Sequence, residues 1–137
     1  FVDSEITAGP FKGNSIPLVP ENRVRIFAEY SVSENWNMNL DVVYTDNQVY
    51  GADFSNDYPE MDDYTVLNFS SQYEVDQWVW RFRVNNILDT EYSESGSIGY
   101  DFLPHDQCIS AGFGGFNCPA EFTSPERNVW LGLEVNF

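Results

Sequence analysis

An antiparallel all-β fold, a segment of a transmembrane β-barrel wall, is what this sequence predicts, on three observations. First, residues 128–137 alternate strictly. Val129, Leu131, Leu133, Val135 and Phe137 fall on one face, and Asn128, Trp130, Gly132, Glu134 and Asn136 fall on the other. That is the period of a strand, and its length matches a tilted strand crossing a bilayer. Second, similar runs recur along the chain between turn signals, without a helical period. Third, short turns alternate with long loops, as in membrane barrels; a soluble sandwich has no reason to sort its loops this way.

Residues 1–6 read as the end of a strand already under way, so the chain is expected to be the C-terminal piece of a longer polypeptide. Gly9-Pro10, Gly13-Asn14, Pro17 and Pro20 mark residues 7–21 as a loop. Over residues 23–32, Val24, Ile26, Ala28, Tyr30 and Val32 point one way; Arg23, Arg25, Phe27, Glu29 and Ser31 point the other. After a turn at Ser33-Glu34-Asn35, residues 36–46 return with Trp36, Met38, Leu40, Val42 and Tyr44 on the apolar face and Asn37, Asn39, Asp41 and Thr45 opposite. Residues 48–63 form an acid-rich loop.

Residues 64–75 are a strand with Leu67, Phe69, Tyr73 and Val75 outward and Asn68, Ser70, Gln72 and Glu74 inward. A tight turn at Val75-Asp76 leads into residues 77–87, where Trp78, Trp80, Phe82 and Val84 face out and Arg81, Arg83 and Asn85 face in. Residues 88–127 are expected to be a forty-residue loop before the final strand. Pairing across the Val75-Asp76 turn sets Ser70 opposite Arg81 and Asn68 opposite Arg83; pairing about Glu34 sets Glu29 opposite Asn39 and Phe27 opposite Asp41. A slip of one residue would turn charges into lipid, so the faces are constrained. Five full strands and a stub cannot close a barrel, because the smallest common one has about eight strands.

The chain carries 22 acidic and 6 basic residues, a net charge of −16. That balance argues against a nucleic-acid partner, whose phosphates call for Lys and Arg; solvated loops account for the acidity. Aromatic residues at 17% suit membrane-interface girdles, and would also suit a carbohydrate-binding sandwich. There is no apolar run long enough for a membrane helix. A mean hydropathy of −0.37 is compatible with barrel strands, which turn half their residues to a polar lumen.

Four segments carry a family likeness. Ile16-Pro17-Leu18-Val19-Pro20-Glu21-Asn22-Arg23 resembles the loop-to-strand junction near the end of TonB-dependent receptors, and Asp63-Tyr64-Thr65-Val66-Leu67-Asn68 resembles one of their strand starts. Arg83-Val84-Asn85-Asn86-Ile87-Leu88-Asp89-Thr90-Glu91-Tyr92 is similar to their V-x-N-L-(F/L)-D-x-x-Y segment, with Ile87-Leu88 where Leu-Phe is common. Pro125-Glu126-Arg127 then precedes a closing strand that ends at Phe137, a terminal aromatic resembling the barrel-insertion signal of outer-membrane barrels.

The resemblance implies that residues 1–137 are the last five full strands plus a strand stub of a 22-stranded barrel, a size whose lumen is plugged. It implies TonB-dependent uptake of a scarce nutrient, foremost a ferric siderophore, across the bacterial outer membrane, with the C-terminus periplasmic and three long loops outside the cell. The implied partners are the TonB complex, through a plug domain upstream of these residues, the barrel-assembly machinery, the rest of the barrel, and outer-membrane lipid and lipopolysaccharide. The reading kept beside it is a soluble aromatic-rich β-sandwich that binds glycans.

Arg23, Arg25, Arg81, Arg83 and Arg127 lie on or beside lumen faces. That placement is expected, since an Arg in lipid costs roughly 2–4 kcal/mol at mid-depth. They are read either as contacts to plug or anionic cargo, with Arg25, Arg81 and Arg83 the candidates, or as wall salt bridges to Glu29, Asp41 or Glu134. Cys108 and Cys118 are expected to form a disulfide that staples the longest loop. Tyr100, Phe102, Phe113 and Phe116 are candidate cargo contacts, as is His105 between Asp101 and Asp106; the aromatics can equally pack the loop.

Asp53, Asp57, Glu60, Asp62 and Asp63 lack EF-hand spacing and read as a solvated loop. Trp36, Tyr73 and Trp78 near the periplasmic strand ends, and Tyr44 and Tyr64 near the outer ends, read as interface girdles. No catalytic set accompanies His105, the only His, so no enzyme activity, cofactor or metal is expected.

Overall fold

The computed structural model describes residues 2 and 4–136. Phe137, the expected insertion signal, lies outside the described residues. The strands are β1 (Arg23–Ser33), β2 (Trp36–Thr45), β3 (Tyr64–Val75), β4 (Trp78–Asn85), β5 (Ser93–Asp101), β6 (Ile109–Gly112), β7 (Gly115–Thr123) and β8 (Asn128–Val135). The chain divides into two compact units, one of residues 24–44, 65–91 and 125–137, the other of residues 1–23, 45–64 and 92–124.

The first unit is built on a five-stranded sheet in the order β1-β2-β3-β4-β8, the five strands that period-two alternation marks. β4 runs antiparallel to β3 and to β8, in a ladder from Trp78↔Val135 to Asn85↔Asn128. The β3–β4 register corrects the sequence expectation: Ser70 faces Arg83 and Gln72 faces Arg81, because Val75 pairs with Trp78. The hairpin loop is therefore Asp76-Gln77, with Asp76 at φ 51°, a left-handed conformation that Asp tolerates better than most residues. The difference is two residues, so every side chain keeps its expected face. In the preceding hairpin, Ser31 Oγ donates to Asn37 Oδ1 at 2.7 Å.

One face of this sheet is apolar. Trp80 is set against Tyr73 and Leu133, and Phe82 against Ser71 and Leu131. Near the hairpin end Trp36 meets Tyr73 edge-on at 6.2 Å, and its indole N–H donates to Ser71 Oγ. Ile26, Tyr30, Trp80, Leu131 and Leu133 on that face are exposed.

The second unit corrects a larger expectation. Residues 88–127 are not a plain loop, since they hold an antiparallel sheet of order β5-β7-β6. Its long ladder runs from Ser93↔Thr123 to Asp101↔Phe116. A parallel bridge adds Gly51 to β5 at Ser97, with Gly51 N–H donating to Gly96 O at 2.9 Å and Ile98 N–H to Gly51 O at 3.0 Å. The small core holds Val49, Tyr50, Met61, Tyr64 and Cys118. Gly96 is required beside Tyr50, since a Cβ there would come within 2.8 Å of the Tyr50 ring and 2.9 Å of Ala120 O.

At the chain start, the described residues of the expected strand stub form a bridge, Glu5↔Ser15, with Ile6 N–H donating to Asn14 O. Asp53 departs from the solvated-loop reading of its acidic neighbours. It is buried, and accepts from the Asp57 and Tyr58 N–H groups and from Ser55 Oγ, which closes a tight turn.

Candidate functional site

The sheet unit presents a polar face crossed by hydrogen bonds from strand to strand. Arg25 on β1 donates twice to Asp41 on β2, at 2.7 and 3.2 Å, and Asn68 on β3 donates to the same carboxylate at 3.4 Å. Asn39 donates to Ser70 at 3.4 Å. Arg81 donates to Gln72 Oε1 at 3.1 Å and makes an ion pair with Glu134 on β8. Asn85 donates to Asn128 at 2.8 Å. Two of the three ion pairs among the described residues are thus wall bridges of the expected kind, Arg25–Asp41 and Arg81–Glu134.

Arg127 differs from the expectation. Its partner is Asp89, not Glu29, Asp41 or Glu134. Arg83 makes no ion pair among the described residues; its cross-strand neighbours are Ser70 and Trp130. Trp130 lies over Gly132, where a Cβ would collide with the indole. Arg83 and Trp130 thus sit side by side on the polar face with Asn39 and Ser70 nearby, a patch able to bond a carboxylate or stack on a planar group.

At the end of β4, Asn86 ties a knot that alternation alone does not disclose. It is 2% exposed, at φ 53°. Its N–H donates to Asn68 Oδ1, its amide donates to Thr90 O, and its Oδ1 accepts from Thr90 N–H. Thr90 Oγ1 donates to Thr65 O. The signal that could have found this knot is the Asn86-Ile87-Leu88-Asp89 motif itself.

The second unit holds the other candidates. Cys108 and Cys118 form the expected disulfide, with Cα atoms 4.3 Å apart. His105 N–H points at Cys108 Sγ, and its ring Nδ1 is 2.9 Å from Asp106 O. His105, Cys108 and Cys118 bring their donor atoms within 4.8 Å of one another, but the two sulfurs are bonded together and so are not a thiolate pair for a metal.

Tyr100 and Phe102 meet edge-on at 5.3 Å, and Tyr100 Oη donates to Gly112 O at 3.3 Å. Phe113 at the β6–β7 turn is fully exposed, and Phe116 is half-buried opposite Asp101. The unit is braced by Tyr50 Oη donating to Glu121 at 2.7 Å and by Tyr58 Oη donating to Asn117 O at 3.2 Å. Burial, then the Glu121 hydrogen bond and charge, push the Tyr50 hydroxyl well above its ordinary value. Tyr64, instead of lining an interface, is buried against Tyr92 with ring centroids 4.7 Å apart, and burial raises the Tyr92 hydroxyl as well.

Residues 1–87 match the family described as TonB dependent receptor-like, beta-barrel. The chain belongs to that family of outer-membrane barrels, which are not enzymes. Among solved structures it is similar to the siderophore receptor PiuA from Acinetobacter baumannii, with a TM-score of 0.64 and 21% identity over 91% of this chain and 15% of that one. At that identity the likeness shows the fold. The chain spans about 15% of the length of that receptor. No curated protein matches it.

Proposed function

We propose that residues 1–137 are the C-terminal portion of the barrel of a TonB-dependent receptor that takes up a ferric siderophore across the outer membrane. The observation that carries this is the two-faced sheet, with exposed Ile26, Tyr30, Trp80, Leu131 and Leu133 on one side and the Arg25–Asp41 and Arg81–Glu134 pairs on the other. The first side suits lipid and the second a wet or plugged lumen. The match to a siderophore receptor supports the cargo class, and membership of the family sets the soluble glycan-binding sandwich aside.

On this reading the β5–β6–β7 sheet and residues 45–64 face the medium, and the C-terminus is periplasmic. A plug domain upstream couples the barrel to the TonB complex, which supplies the work. The cargo crosses with no bond broken. Arg25 and Arg81 brace the wall, and Arg83 is free to meet the plug or cargo. Tyr100, Phe102, His105, Phe113 and Phe116 lie where cargo first arrives, and Phe137 addresses the barrel-assembly machinery.

The test is uptake of radiolabelled ferric siderophores by iron-starved cells that carry or lack the full-length gene. Uptake that needs both the gene and an intact TonB complex supports the reading. Accumulation that is equal in both strains for every siderophore class refutes it.

A further inference from the structure

The tip of the β5–β6–β7 sheet is apolar, exposed and held in place. Phe113 is 104% exposed, Leu103 78% and Phe102 68%. Singly exposed apolar side chains are ordinary, but a group of them on one tip marks an interaction surface. These are not loose ends. The Tyr100 ring covers the Gly112–Gly115 turn that carries Phe113, so closely that a Cβ on Gly115 would strike it. The Cys108–Cys118 bridge fastens the start of β6 to β7. Leu103 N–H donates to Asp101 Oδ1 at 3.0 Å, which fixes the turn after β5. A surface already ordered loses little freedom when it binds.

The carboxylates at the tip itself are Asp101 and Asp106, and residues 92–124, which carry the tip, contain no Lys or Arg. Glu94 and Glu121 add negative charge at the other end of the β5–β7 ladder, where Glu121 accepts from Tyr50. Residues 45–64, braced to β5 and β7 through Gly51, Tyr50 and Tyr58, add Asp46, Asp57, Glu60, Asp62 and Asp63 outside the core, against Lys12 and Arg23 as the cations of the same unit. Hydrogen bonds from the Leu103 and Phe102 N–H groups hold the Asp101 carboxyl below its ordinary range, so it stays ionised beside Phe102. Such a surface repels anions, anionic lipid head groups included, and attracts cations. Aromatic rings add a preference of the same sign, because their faces attract cations.

We infer that this tip docks a positively charged ligand carrying an apolar face, and that the cargo met here, on the uptake reading above, is a cationic metal chelate. An acidic and aromatic surface discriminates against the anionic chelate at the first encounter, where electrostatic steering sets the association rate.

The test uses the full-length receptor in nanodiscs and two probes of nearly equal shape and opposite charge, tetraphenylphosphonium and tetraphenylborate. Binding is read as the difference between the native receptor and the Phe102→Ser/Phe113→Ser variant, so that partition into lipid cancels. Native migration on unheated gels confirms that each variant has folded. The expected result is phosphonium binding about tenfold tighter to the native receptor than to the variant. That preference shrinks in 0.5 M salt and falls in Asp101→Asn/Asp106→Asn. Tetraphenylborate held as tightly at the tip, or phosphonium bound equally by native and variant receptors, overturns the inference.

Uptake is then compared for a linear ferric trihydroxamate ending in an ammonium group and for its succinylated, anionic form. Faster receptor-dependent entry of the ammonium form supports the cargo class, and faster entry of the anionic form overturns it. If neither enters through the receptor while phosphonium still binds the tip, the uptake reading and its cargo clause fail and the docking surface stands.

Discussion

Asp89 and Arg127 hold each other across 38 residues of sequence. The Arg127 backbone N–H donates to Asp89 Oδ1 and its Nη2 to Asp89 Oδ2, both at 3.1 Å, while Nη1 reaches Ile87 O at 3.4 Å. Two of the four family-like motifs thus meet as one clasp where the chain leaves β4 and where it enters β8.

Breaking this clasp is expected to have a local effect. Both side chains are about half exposed, at 50% and 47%. A double-mutant cycle on Asp89→Ala and Arg127→Ala in the full-length receptor should return about 0.5–1 kcal/mol of coupling. Hydrogen exchange should quicken at Ile87 and Asp89 and stay unchanged in the β3–β4 ladder. Arg127→Lys should recover only part of the coupling, because an ammonium cannot reproduce the planar fork. Faster exchange throughout the sheet would contradict a local clasp.

Asn86 should be the costliest polar residue to lose at this end of the sheet. Alanine there would be strained at a φ of 53°, which costs about 1–2 kcal/mol. It would also leave Thr90 N–H without its acceptor, a loss of about 1–3 kcal/mol. Asn86→Gly should relieve the first cost and keep the second, so its stability should fall between those of native and Asn86→Ala receptors. Thermal unfolding of the three proteins checks the order.

Alkaline pH should loosen the second unit through Tyr50. Its folded value is raised by burial and Glu121, whereas an unfolded tyrosine ionises near pH 10, roughly. The contribution is therefore whole below about pH 10 and is lost as pH rises from there toward the folded value. Titration of tyrosinate absorbance in native and Tyr50→Phe receptors should show one late-ionising tyrosine fewer in the variant, with Tyr58 and Tyr92, which burial also raises, present in both. An ordinary midpoint for Tyr50 would refute the prediction.

Removing the disulfide should free the tip and spare the ladder. Closing a loop of about ten residues is worth about 2–3 kcal/mol on the chain-entropy account. In Cys108→Ser/Cys118→Ser, proteases should cut within residues 102–107. The β5–β7 pairs from Ser93↔Thr123 to Asp101↔Phe116 should stay protected, because those hydrogen bonds do not depend on the bridge. Cleavage within β5 would show that the bridge holds the whole sheet.

The strands of the wall were legible in the sequence wherever one face had to be apolar and the other polar. Trp78, Trp80, Phe82 and Val84 alternating with Arg81, Arg83 and Asn85 determine both a strand and its faces, because successive side chains of a strand point opposite ways. The disulfide was legible too, from two cysteines in one segment. β5 was not. Ser93-Glu94-Ser95-Gly96-Ser97-Ile98-Gly99 has small residues on both faces and no amphipathic signal. It is a strand because β7 pairs with it and Gly51 bridges to it, contacts that exist only once distant segments meet.

By itself, the sequence determined the class of fold, the number of wall strands and which side chains share a face, since alternation is a local property with a period of two. Only the tertiary structure decided the two-residue register at Ser70↔Arg83, the pairing of Arg127 with Asp89 and the acidic, aromatic tip around Phe113. A shift of two leaves every face unchanged, so hydrophobic patterning cannot detect it. The choice among several carboxylates for one guanidinium depends on distances across the folded chain, which local patterning does not set.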